Sequence, residues 1–205
     1  MVKNPIFYYL IIGISFSGFA QTDDSRYPNG QKKAIGVFHK GKKAGEWKYY
    51  YPNGNLSSIE HYVGGNLDGE AVYYYPSGSI QAKEHWNEGT LADSAFYYHE
   101  NGVIDKKGVY HESSYKGKWI HYFENGEVER ELFYKNGLPN GPTKIFSEAG
   151  VLIQKGSYRE GKEDGPWEFF SEKGELQYTG SYDLGEPVGI WYEYKKGKQK
   201  VYKKY

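Results

Sequence analysis

An all-β chain, an extended antiparallel meander of repeated β-hairpins in a single curved sheet, is predicted by three observations. Tyrosine supplies 23 of 205 residues and aromatics 19%, yet the hydrophobic total is only 38% and mean hydropathy is −0.81. Glycine contributes 27 residues, enough for frequent tight turns. The glycines also recur: Gly30, Gly54, Gly78, Gly102, Gly126, Gly150 and Gly174 are each 24 residues apart. Aromatic segments between glycine turns favour short strands over helices, and a fixed period marks a repeat array in which each unit touches only its neighbours.

The first element is a leader over residues 1–20. Lys3 precedes a 14-residue apolar run, residues 6–19, too short for a comfortable membrane span. Gly18 and Ala20 are small residues before Gln21, the pattern of a signal-peptidase site. Export to the periplasm or medium, after cleavage near Ala20–Gln21, is therefore expected; retention of the leader as an anchor is the other reading. Residues 21–26 read as a flexible segment and 27–44 as a partial repeat. Six full units follow over 45–188, then a half unit and basic tail over 189–205.

Two further glycine series share the period. One is Gly41, Gly65, Gly89, Gly137, Gly161 and Gly185, with Ser113 in the gap; the other is Gly45, Gly69, Gly117, Gly141, Gly165 and Gly189, with Asp93 in the gap. Counted from Gly45, position 6 is always aromatic (Tyr50 to Tyr194), position 12 aliphatic (Leu56 to Leu176) and position 18 aromatic (Tyr62 to Tyr182). The turns YPNG (27–30 and 51–54), YPSG (75–78), HENG (99–102) and FENG (123–126) suit a type I turn closed by a left-handed glycine. That loop pairs position 7 with 11 and sets position 6 opposite 12, so Tyr50 faces Leu56 across the hairpin. About fourteen strands at ~4.8 Å each would follow in one sheet. The fourth unit, 93–116, lacks two of its three glycines, and an altered loop near 111–116 is expected there.

Segments 158–182 (YREGKEDGPWEFFSEKGELQYTGSY) and 133–150 (FYKNGLPNGPTKIFSEAG) carry a shared Tyr-x-x-Gly-x-x-x-Gly-x-Trp-x-x-Tyr/Phe-x-x-x-Gly-x-Leu pattern. Position by position it resembles the MORN (membrane occupation and recognition nexus) repeat in its bacterial variant form, over about residues 27–205. The resemblance implies the hairpin-array fold. It implies function only coarsely: similar proteins are labelled antitoxins of toxin–antitoxin pairs, and other MORN arrays are described as scaffolds or lipid-contacting modules.

With position 6 on one face, positions 3, 5 and 7 belong to the other. Those positions supply a candidate interaction strip: Trp47, Tyr49, Tyr51, Tyr73, Tyr75, Tyr97, Trp119, Phe123, Trp167, Phe169 and Trp191. Two readings stay open, packing within the sheet or a concave aromatic surface holding a partner. Position 18 shares the parity of positions 6 and 12, which leaves its face, and which face is concave, undecided.

Catalytic motifs are absent: no Gly-x-Ser-x-Gly, phosphate-binding loop, HExxH or cysteine nucleophile occurs. No enzyme activity and no cofactor are expected. His61 and His85 share a column one unit apart, about 9.6 Å, as do Glu60 and Glu84, too far for a shared metal or a carboxylate pair. The 26 basic and 26 acidic residues give no basic excess, which argues against nucleic acid. The lysine-rich tail, 195–204, reads as protection of a terminal strand against stacking, with an anionic surface as the alternative. The expected function is an exported, non-catalytic scaffold for a protein or peptide. A cell-wall glycan binder using the aromatic face is the alternative, and membrane-surface contact is a third.

Overall fold

The computed structural model describes residues 20–205. The expected leader therefore lies, apart from its last residue, outside the described residues. Nineteen strand segments follow one another in a single antiparallel sheet, from Ala20–Arg26 to Lys198–Lys204, each paired with its neighbours in sequence. The two-residue pieces Asn66–Leu67, Leu138–Pro139 and Lys162–Glu163 are each continued across a bulge by a longer strand. Counted as passes of the chain there are sixteen, against the about fourteen expected. Among the described residues no helix is long and apolar enough to cross a membrane.

The extra passes lie at the ends. Gln21–Arg26, expected as flexible, is a strand registered on Lys32–His39, with Gln21 opposite Phe38 and Ser25 opposite Ala34. The reason is the first YPNG turn, which is closed like its successors: Tyr27 N–H donates to Gln31 O at 2.8 Å. A closed turn commits both flanks to pairing and satisfies backbone groups that would otherwise be bare. At the other end the basic tail is also a strand. It folds back on Glu186–Lys195 through a two-residue turn with left-handed Lys196 (φ 49°) and Gly197 (φ 73°).

The hairpin register matches the sequence expectation. Tyr51 N–H donates to Asn55 O at 2.8 Å, Gly54 takes φ 88°, and Tyr50 stands opposite Leu56. Between hairpins lie two-residue turns with both φ values positive, as at Asn136 (52°) and Gly137 (78°). In the fourth unit the loop expected to differ keeps this geometry: Glu112 has φ 49° and Ser113 φ 58°. The neighbouring unit imposes it. Ser113 N–H donates to Leu91 O at 2.8 Å, as Gly65, Gly89, Gly161 and Gly185 donate to the preceding unit, and Ser113 Oγ accepts from Leu91 N–H at 3.1 Å.

Parity is decided by a bulge. Tyr50 pairs with Leu56 but Tyr49 with Ser58, so Ser57 has no opposite number. One inserted residue exchanges the faces beyond it. The same shift skips Gln81, Asp105, Glu129, Ile153 and Gln177. Position 18 therefore joins positions 3 and 5 on one face, here the tryptophan face, while positions 6 and 12 stay on the opposite face. Ladder pairs put Trp47, Glu60, Tyr49, Ser58 and Tyr62 on the tryptophan face, and Tyr50, Leu56, Lys48 and Ile59 on the other.

Candidate functional site

The candidate strip divides into three parts. Trp47, Trp119, Trp167 and Trp191 are the core, with 1%, 0%, 3% and 7% of their surface exposed. They are thus corrected from contact residues to packing residues: a ring this enclosed has no surface left to offer a partner. Each lies edge-on to the position-18 aromatic of the preceding unit, and Trp47 and Trp167 also to that of their own. Trp47 meets Phe38 at 4.9 Å and Tyr62 at 6.2 Å; Trp167 meets Tyr158 at 5.4 Å and Tyr182 at 6.0 Å. Tyr49 and Phe169 stack on the same indoles at 6.0 Å.

Burial on a single-layer sheet depends on the preceding unit. An added Cβ at Gly36, Gly108, Gly156 or Gly180 would lie 2.1–2.2 Å from the indole of Trp47, Trp119, Trp167 or Trp191. The indole fills the space that glycine leaves at position 16. Where position 3 is small, position 16 is large: Glu60 precedes Ala71, Glu84 precedes Ala95 and Leu132 precedes Thr143. All three small residues are buried. The two glutamates keep their charge solvated by side-chain donors. Ser58 and Tyr62 hydroxyls donate to Glu60 at 2.9 and 2.6 Å; the Tyr97 hydroxyl and Trp86 Nε1–H donate to Glu84 at 2.8 and 3.2 Å. Burial, reinforced by these bonds, pushes the Tyr62 and Tyr97 hydroxyls well above the usual tyrosine range. This reciprocal pattern was present in the sequence, as glycines outside the three regular series, and the column-by-column reading passed over it.

Tyr51 and Tyr75 form the second part. Their hydroxyls donate to the carbonyls of Tyr74 and Tyr98, one unit on, both at 2.7 Å, as Tyr27 does to Tyr50 at 2.8 Å. They are staples between units. His99 takes the same place with Nε2 2.9 Å from Tyr122 O, while Phe123 occupies it without a polar atom. Beside them Asn29, Asn53, Asn101 and Asn125 each donate to a turn carbonyl of the following unit at 2.8–3.1 Å.

Tyr49, Tyr73, Tyr97 and Phe169, the third part, are half-buried. Over the first of them sits Lys43, whose ammonium lies 4.8, 4.9 and 4.7 Å from the ring centres of Trp47, Tyr49 and Tyr62 and donates to the Tyr49 hydroxyl. The chain thus fills this aromatic box with its own cation.

The opposite face carries the more open surface. Phe133, Pro142 and Pro166 line a groove of about 480 Å³, bordered by the ion pairs Lys118–Glu131 (2.7 Å) and Lys155–Glu168 (2.9 Å). Sequence reasoning missed this groove, because its residues fall at positions 2 and 17, which follow no regular column. Among the described residues no group of three or more His, Asp or Glu is placed to share a metal.

The MORN repeat variant family matches this chain at residues 43–63, 67–88, 115–136 and 163–184. No curated protein matches it. Among solved structures it is similar to a porin-like protein from Bacteroides uniformis ATCC 8492, at 9% identity over 89% of this chain and 92% of that one. The TM-score is 0.21, too low to bear on fold or function. Four matched segments set in one unbroken 24-residue register identify the chain as a MORN-repeat protein of the variant type.

Proposed function

We propose that this MORN-repeat protein is an exported, non-catalytic scaffold that holds a protein or peptide along the face opposite its tryptophans. The observation that carries the reading is the groove at Phe133, Pro142 and Pro166. Apolar side chains stand open there, Phe133 at 36% exposure, with Val188 and Ile190 at 37% and 43% further along the same face. Contiguous apolar surface rimmed by charge is the usual composition of a contact site. The repeat backbone supports the role mechanically: hydrogen bonds between successive units order the ribbon in advance, so little conformational freedom is lost on binding. Against the glycan reading, four of the five tryptophans are buried and offer no indole platform.

A photo-crosslinking residue at position 133, with position 124 on an exposed hairpin turn as control, tests the surface. Crosslinking of one protein from 133 alone is expected, with a purified complex weakened by Phe133→Ser. Equal labelling from both positions, or unchanged affinity in Phe133→Ser, would count against it. Export rests on the apolar run of residues 6–19 and the small residues before Gln21. Fractionation with N-terminal sequencing checks it, the expected first residue being Gln21.

A further inference from the structure

Along the tryptophan face, positions 14 and 5 of successive units form a row of cross-strand partners. Through most of the array the row is tyrosine, phenylalanine or a small neutral residue: Tyr49, Ser58, Tyr73, Ala82, Tyr97. In the middle it changes to Lys106, His121 and Arg130. His121 is registered opposite Lys106 on one side and Arg130 on the other, and directly opposed side chains have their Cβ atoms ~4.5–5.5 Å apart. Two cations thus flank an imidazole on a half-buried surface, where their like charges repel and a further positive charge on His121 is disfavoured.

Among the described residues no carboxylate pairs directly with Lys106 or Arg130. Asp105, on the bulge with His99 Nε2 at 3.7 Å, offsets their charge at His121 only in part. Lys106 lies 4.6 Å from the Tyr97 ring centre and donates to the Tyr115 hydroxyl at 3.2 Å. Arg130 Nε is buried with no hydrogen-bond partner, an arrangement that costs free energy unless something supplies an acceptor.

We propose that Lys106, His121 and Arg130 form a binding site for an oxyanion, a carboxylate or phosphate group, on the tryptophan face. The guanidinium fork and the ammonium supply charge-assisted donors, and the Arg130 Nε–H gains its acceptor. Burial, with Arg130 and Lys106 alongside, holds the free His121 imidazole down at about 4. A bound anion reverses that charge balance and favours the imidazolium. The site lies on the other face from the groove, so it stands or falls separately from the scaffold reading.

The purified protein is titrated with inorganic phosphate and, separately, acetate, against chloride at equal ionic strength. The His121 ring is followed by NMR and binding by calorimetry. The expected result is an upward shift of the His121 pKa by about one unit or more on saturation, and binding weakened about tenfold or more in Arg130→Gln and Lys106→Gln. Both variants suit the fold, since Gln154 occupies the same position two units on from Lys106. Response to phosphate alone assigns a phosphate site; response to both assigns a general oxyanion site. No shift beyond the chloride control, or equal binding by Arg130→Gln, overturns the proposal.

Discussion

Gly108→Ala gives the sharpest test of how this sheet holds itself together. The added methyl would lie 2.2 Å from the Trp119 indole, where carbon atoms rest at ~3.5–4.0 Å, so the ring must retreat by about 1.5 Å. It has nowhere to go, packed against Tyr115 at 4.2 Å and Tyr110 at 5.0 Å with none of its surface exposed. Overpacking of this kind costs ~1–3 kcal/mol, and loss of the tryptophan itself ~3–5 kcal/mol. Gly108→Ala is therefore expected to destabilise by about 2–3 kcal/mol and Trp119→Ala by about 3–5 kcal/mol. The double variant should fall close to Trp119→Ala alone, because the methyl then enters vacated space as Leu132 does beside Thr143. That is a coupling of about 2 kcal/mol between contacting residues. Urea unfolding followed by far-UV circular dichroism and tyrosine emission measures all three, and coincidence of the two probes checks that the array unfolds as one unit. Additive single effects, or a Gly108→Ala protein within about 0.5 kcal/mol of the parent, would refute the reasoning.

Tyr75→Phe removes the hydroxyl that donates to Tyr98 O at 2.7 Å and should lower stability by about 1 kcal/mol in the same assay. Ser113→Val forces a β-branched residue into a left-handed turn at φ 58° and should cost about 2 kcal/mol or more, whereas Ser113→Gly loses only the Oγ bond to Leu91 while relieving the backbone, and should lie near the parent. Lys43→Gln withdraws an ammonium from three rings and should cost about 1–2 kcal/mol, read from the denaturation midpoint. His121 has its pKa depressed to about 4, so between the unfolded value near 6.5 and about 4 the unfolded chain binds a proton that the folded one refuses. Stability should therefore fall on acidification through that window. In His121→Phe, which copies Phe169 in a later unit, the fall should be shallower; equal slopes measured by urea midpoints from pH 7 to 4 would contradict the assignment.

How much was legible in the sequence differs by level. The 24-residue period, the glycine turns and the pairing of Tyr50 with Leu56 could all be read directly, because left-handed turn positions select glycine and a closed turn fixes its own register. The strand at Gln21–Arg26 was less visible: six polar or small residues carry no apolar alternation, and only the turn beside them enforces pairing. The unchanged turn at Ser113 was hidden for a related reason, its conformation being held by hydrogen bonds to the preceding unit rather than by residue type.

By itself, then, the sequence determined a ribbon of hairpins with a known turn chemistry and one aromatic–aliphatic column. Only the tertiary structure decided which aromatics share a face. The bulge that exchanges the faces falls on Ser57, Gln81, Asp105, Glu129, Ile153 and Gln177, residues with no common chemistry, because a bulge answers the twist of the assembled sheet and needs no particular side chain. That shift set the tryptophans against position 18 and over the preceding glycines, making core of what the linear pattern offered as surface.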